Sequence, residues 1–151
     1  MSLGISDEHV ELARSLREWA SSLDAREVVR DAEADPDATF ADLWKSCVEM
    51  GIATIGLPEA SGGGGGSVLD AAVALEACAH GLVPGPLLGV AVASSLLGET
   101  EGIASSLGEG AVVGLALDAS LDAVWDAPGA THFLCLTPPG GGTSCRRTQR
   151  R

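Results

Sequence analysis

Tyrosine is absent from these 151 residues, and two phenylalanines and three tryptophans make up the whole aromatic complement. A chain so poor in aromatics, yet rich in alanine and glycine, suits closely packed helices better than a β-sandwich. Positive charge is also scarce: nine Lys and Arg stand against 21 Asp and Glu, for a net charge of −12. Four of the nine (Arg146, Arg147, Arg150 and Arg151) fall in the last six positions, so the body is more acidic than the total suggests. Such a body repels a phosphate backbone, which argues against nucleic acid as its partner. The four cysteines, Cys47, Cys78, Cys135 and Cys145, form no CxxC pair and no zinc-ligand spacing. No basic segment with an apolar leader opens the chain. Reduced thiols in a cytoplasmic protein without a metal site are the expectation. Long hydrophobic runs are missing too. The longest, Leu82 to Leu97, is broken by Pro84 and Pro86 and is short of the roughly 20 residues a bilayer span needs. It reads as a buried helix, and no membrane role is expected.

What is present is enough apolar content, 46%, to bury a core. The length allows one ordinary domain, or one domain plus a fragment of another. Ser6 is placed to cap a helix whose first turn carries Asp7 and Glu8, with Ile5 and Val10 at the positions of a hydrophobic staple. Leu12, Leu16, Trp19 and Leu23 recur at helical spacing and predict a helix from about Asp7 to Leu23. Arg26 to Ala34 predicts a second, highly charged helix closed by Asp35-Pro36. Thr39 is a candidate cap for a third, whose apolar face is Phe40, Leu43, Trp44, Cys47 and Met50. Gly51 suits the left-handed position after its end, with Ile52 as the accompanying apolar contact.

Gly62 to Gly66 then reads as a flexible loop between helices. Ser67 and Asp70 form a capping-box pair for a helix that ends near His80-Gly81. Pro86 opens the next helix, Leu87 to Leu97, which is apolar nearly all round and therefore expected to be buried on more than one side. A short helix from about Glu101 to Leu107 follows. Ala111 to Leu117 is the first strand, with Ala123 to Trp125 and Thr131 to Leu136 as short strands after it. Beyond Leu136 no periodicity is left, and Thr137 to Arg151 reads as a disordered, Arg-rich tail that is dispensable for folding. Leu3 to Leu107 should form an all-helical domain with Leu12, Leu16, Trp19, Leu43, Trp44, Val73, Leu88 and Val92 in its core.

The most specific stretch is Leu43 to Gly66: a Trp-bearing helix ending in Gly51, the apolar run Ile52 to Leu57, Pro58-Glu59, and the glycine loop. It resembles the N-terminal helical domain of acyl-CoA dehydrogenases. The Glu76 to Leu97 region with its Val83-Pro84 connector, and the turn into a strand at Gly110, extend the resemblance over Ser6 to Leu136. The likeness is nearest to divergent, short-looped actinobacterial members, some of which work as one half of a paired assembly. It implies a mainly α fold: a helical domain over 1–108, part of a middle β-domain over 109–136, and the tail over 137–151.

In the family, flavin adenine dinucleotide (FAD) binds between the β-domain and a C-terminal helical bundle. A glutamate from that bundle removes the α-proton of an acyl-CoA thioester, and the flavin takes the β-hydrogen as hydride. Here Leu115 to Ser120 runs almost at once into Leu121-Asp122, without the family's Thr-Glu-Pro segment and the Gly-Ser that follows it near the flavin. No position matches the catalytic glutamate. The resemblance therefore implies a truncated flavoprotein fragment, an oxidoreductase of lipid metabolism by family and inactive alone. The alternative is a non-catalytic helical subunit that pairs, as a homo- or hetero-oligomer, with a complete dehydrogenase. In the family the helix matching Leu87 to Leu97 lines the acyl-chain pocket, which nominates Leu88, Ala91, Val92 and Ser95 as substrate-channel residues.

Other chemistry finds little support. The glycine run precedes a helix start, as a phosphate cradle would, but no Lys-Ser or Lys-Thr follows it. His9, His80 and His132 are scattered without metal-like spacing, and no nucleophile-elbow pattern occurs. No catalytic residue is nominated.

Overall fold

The computed structural model describes residues 4–100, 102–116, 123–125, 129–135 and 144–147, with residues 36–38 and 144–147 described by their backbone alone. Helices α1 (Asp7–Ser22), α2 (Ala25–Ala34), α3 (Pro36–Glu49), α4 (Val68–His80), α5 (Leu87–Leu97) and α6 (Ile103–Gly108) precede four short strands, β1 (Val113–Ala116), β2 (Val124–Trp125), β3 (His132–Cys135) and β4 (Ser144–Arg147). The fold is mainly helical with a small sheet, as the sequence implies.

Caps set most of the boundaries. Ser6 caps α1 by accepting from the His9 N–H, and His9 Nδ1 accepts from the Ser6 N–H at 2.9 Å in return. Ser67 and Asp70 do the same for α4. Gly51 has φ +73; its N–H bonds the Val48 carbonyl and that of Ile52 bonds the Cys47 carbonyl, which closes α3 with a left-handed cap. The start of α3 departs from expectation. Pro36 opens it and Thr39 lies inside the first turn, because proline at a first helical position loses no hydrogen bond and has its φ already set.

The loop between α3 and α4 is not flexible. The N–H groups of Gly63, Gly64, Gly65 and Gly66 donate to the carbonyls of Pro58, Thr54, Leu57 and Ile55, which zips the glycines against the apolar run. A Cβ at Gly63 would lie 2.3 Å from the Leu57 carbonyl oxygen, so two backbones pass where only glycine fits.

One core joins helices and sheet: Leu16, Leu43, Trp44, Cys47, Leu57, Ala77, Val90, Leu107, Val113 and Leu134 are all buried in it. Of the expected core residues, Leu16, Leu43 and Trp44 are buried; Leu12, Trp19 and Val92 are partly buried against them. Val73 is only half-buried. Leu88 is a correction: it is 40% exposed, because it stands on the outer side of α5.

The sheet runs β2-β1-β3-β4. β1 and β3 are parallel, Val113 opposite His132 and Ala116 opposite Cys135, while β2 and β4 pair antiparallel at the two edges. β4 comes from the stretch read as a tail, and the rest of that stretch lies outside the described residues. Its pairing needs no apolar periodicity, only a neighbouring strand edge with free backbone groups.

Candidate functional site

α5 is split lengthwise. Leu87, Gly89, Val90, Ala93 and Ser94 are buried, packed against α4, α6 and β1. Gly89 makes the closest approach: a Cβ there would meet the Val113 carbonyl oxygen at 2.1 Å, so the helix lies directly on β1. The opposite side carries the nominated residues at helical spacing. Leu88 and Ser95 are exposed, and Ala91 and Val92 are half-buried. The Ser95 hydroxyl donates to the Ala91 carbonyl at 2.9 Å, which uses its proton and leaves its oxygen as an acceptor on an otherwise apolar face. Leu96, 54% exposed, belongs to the same face. The nominations omit it, although its four-residue step from Val92 was readable. The expectation that α5 is buried on several sides is thus half met: one side is packed and the other is an apolar wall. The four share a face.

The wall continues past Leu96 into a cleft of about 310 Å³, lined by Gly56, Pro58, Ser67, Val68, Ser94 and Glu99 among others. Ser94 is buried beside it, and its Oγ is the one buried side-chain polar atom among the described residues without a hydrogen-bond partner. The charge at the head of α4 is already settled. Asp70 Oδ2 accepts from both the N–H and the hydroxyl of Ser67 at 2.7 Å, and those bonds hold its carboxyl below the usual range, with His9 adding to the effect.

His9 Nε2 stands 3.3 Å from Asp70 Oδ1 while its Nδ1 faces Ser6. The histidine therefore ties two helix caps together. That role had no local signal, since it needs α1 and α4 side by side. His132 is buried in β3 with Nδ1 3.0 Å from the Thr131 hydroxyl, and His80 is exposed in the last turn of α4.

Nucleophilic chemistry is not supported by Cys47 or Cys78. Burial pushes Cys47 up to about 12, with Cys78 adding to it, and burial raises Cys78 as well. A protonated, buried thiol is inert. Among the described residues no group of three or more His, Cys, Asp or Glu is placed to hold a metal ion, and no helix is long and apolar enough to cross a membrane. α5 itself carries no titratable side chain, so its wall can shape and desolvate a ligand but cannot move a proton.

The comparisons agree with the helical layout. Residues 6–104 match the family model described as acyl-CoA dehydrogenase, N-terminal domain. Acyl-CoA dehydrogenase IpdE2 of Mycolicibacterium smegmatis is 41% identical over 92 residues, covering 58% of this chain and 29% of that protein. Acyl-CoA dehydrogenase FadE34 of Mycobacterium tuberculosis is 34% identical over 124 residues, 76% of this chain and 17% of that one. Among solved structures, the ChsE4-ChsE5 complex from Mycobacterium tuberculosis shares the fold with a TM-score of 0.68 at 21% identity, over 97% of this chain and 49% of that one. The chain thus spans less than a third of the length of these curated relatives.

Proposed function

This chain belongs to the acyl-CoA dehydrogenase family through its N-terminal domain, and from that premise we propose that α5 forms one wall of an acyl-thioester pocket in an FAD-dependent dehydrogenase, whose reacting groups come from other domains or a partner chain. The observation that carries the reading is the two-sided character of α5. A helix apolar on both sides but packed on only one leaves Leu88 and Leu96 exposed and Ala91 and Val92 half-buried, and covering what remains open with an acyl chain or a facing helix recovers about 0.8 kcal/mol per buried methylene.

FAD, when bound in this family, supplies the hydride acceptor. The described residues do not themselves fit it. The amides of the glycine loop are already spent on the chain's own carbonyls. At the head of α4 the Asp70 carboxylate occupies the place where a diphosphate would be attracted. Flavin contacts are therefore assigned to parts outside these residues, and α5 positions the acyl tail and excludes water from it.

A second reading is a non-catalytic subunit that pairs with a complete dehydrogenase. It is favoured by the likeness in fold to a two-component assembly and by the same exposed wall, which a partner would cover.

The test is direct. The purified chain should be colourless after incubation with FAD and gel filtration, and acyl-CoA should cause no change in its visible spectrum. A stoichiometric yellow protein bleached by acyl-CoA would show that the chain is catalytic by itself. An acyl-CoA bearing a photoactivatable tail should label residues between Leu88 and Leu96; labelling confined to other elements would remove α5 from the pocket.

A further inference from the structure

Of the five cationic side chains described outside β4, three are engaged within the chain. Arg14 pairs with Glu11 and Glu18, Arg17 with Glu76, and Lys45 with Glu49. Arg26 and Arg30 have no such partner among the described residues. They stand one turn apart on α2 and, with Ala25, Val29 and Leu82, line a shallow cleft of about 320 Å³. The apolar members are open to solvent: Val29 is 49% and Leu82 73% exposed.

Leu82 is also held in a conformation that favours glycine. Its φ is +56, in the left-handed position that closes α4, with its N–H bonded to the Ala79 carbonyl and that of Val83 to the Cys78 carbonyl. Glycine is spent one residue earlier, where a Cβ at Gly81 would lie 2.4 Å from the Ala20 Cβ. The chain therefore keeps a strained leucine whose side chain buries little against its own fold. Strain retained without internal packing points to an external contact.

We propose that this cleft docks an acidic amphipathic helix of a partner protein. Two carboxylates one turn apart meet the guanidinium groups of Arg26 and Arg30, and an aliphatic side chain between them covers Val29 and Leu82. Charge complementarity selects this occupant, since Arg forks bind carboxylates in paired hydrogen bonds. The fit is local. Glu33 shares the outer side of α2, and Glu27 and Asp31 lie on its flank, so a broad anionic surface such as a membrane meets repulsion from the acidic body that a narrow helix avoids.

The experiment uses the full chain and a fluorescent synthetic helix of about 18 residues, with leucines flanked by glutamates four apart, and its lysine-substituted counterpart. The parent should bind the glutamate peptide in a salt-sensitive manner, and the lysine peptide, drawn to the acidic body as a whole, should bind without dependence on Leu82. Arg26→Glu with Arg30→Glu should weaken glutamate-peptide binding about tenfold or more and tighten lysine-peptide binding. Leu82→Gly, which suits the left-handed backbone and so keeps the fold, should weaken binding without lowering the thermal midpoint. Several results would overturn the proposal: no binding of the glutamate peptide, binding unchanged by the arginine reversal (the tail arginines being intact in that variant), or capture by phosphatidylserine vesicles in place of the peptide.

Discussion

Trp44 ties the helical layer to the sheet through one side chain. Its ring is buried and stacked on Phe40 at 6.3 Å, and Nε1 donates to the Gly110 carbonyl at 2.7 Å, just ahead of β1. The burial was legible from the spacing of apolar residues along α3. The hydrogen bond was not, because it joins positions 66 residues apart and no local pattern encodes it. Trp44→Ala should cost about 3–5 kcal/mol. Trp44→Phe, which keeps an aromatic ring but leaves the Gly110 carbonyl unpaired, should cost about 1–3 kcal/mol. Urea unfolding measures both, and an alanine variant that unfolds with the parent would place the ring outside the core.

Cys47 makes a second prediction at this scale. Its folded thiol value, about 12, lies above its ordinary 9.0. The group leaves stability unchanged below pH 9 and subtracts from it as pH rises from there toward 12, because only the unfolded chain ionises in that window. Cys47 and Cys78 should resist a thiol reagent at pH 8 until urea is added; rapid labelling of Cys47 in the native protein would contradict its burial.

At the level of elements, legibility followed the caps. Ser6, Gly51 and Ser67 are short-range signals, and the ends they mark were found within a residue or two. Where two signals competed, the reading slipped: Pro36 and Thr39 both looked like boundaries, and the proline opened α3. The glycine loop misled for a different reason. Composition alone suggests freedom, whereas four amides bound to residues 54–58 fix the segment.

α5 shows the remaining limit. Its sequence is apolar on both sides, so nothing in its period says which side meets β1; Gly89, the closest contact, decides that only once the strand is in place. The two sides should answer differently to mutation. Val90→Ala removes a side chain that is 1% exposed and should cost about 2–3 kcal/mol, whereas Leu88→Gln should shift the thermal midpoint by no more than a degree or two, as a surface change does. Equal losses from both substitutions would mean that α5 is enclosed.

Across the whole molecule, the helices were more legible than the sheet because their hydrogen bonds are local, while β1 must find β3 nineteen residues on, from Val113 to His132. β4 is the clearest case. Read as a tail with no apolar face, residues 137–151 should bury little, and their removal should leave stability unchanged. Paired with β3 from His132–Arg147 to Cys135–Ser144, the strand instead covers an edge whose Leu134 and Cys135 are buried. Water can replace the lost backbone partners, at about 0.5–1.5 kcal/mol per hydrogen bond, so a folded helical domain should survive the deletion. The exposed β3 edge, however, becomes a template for pairing with another chain. Deleting residues 137–151 should therefore lower the thermal midpoint by roughly 2–8 °C, keep the helical circular dichroism signal, and introduce concentration-dependent association visible by sedimentation. If the shortened chain keeps the parent's midpoint and sediments as the parent does at every concentration, β4 contributes nothing to the sheet.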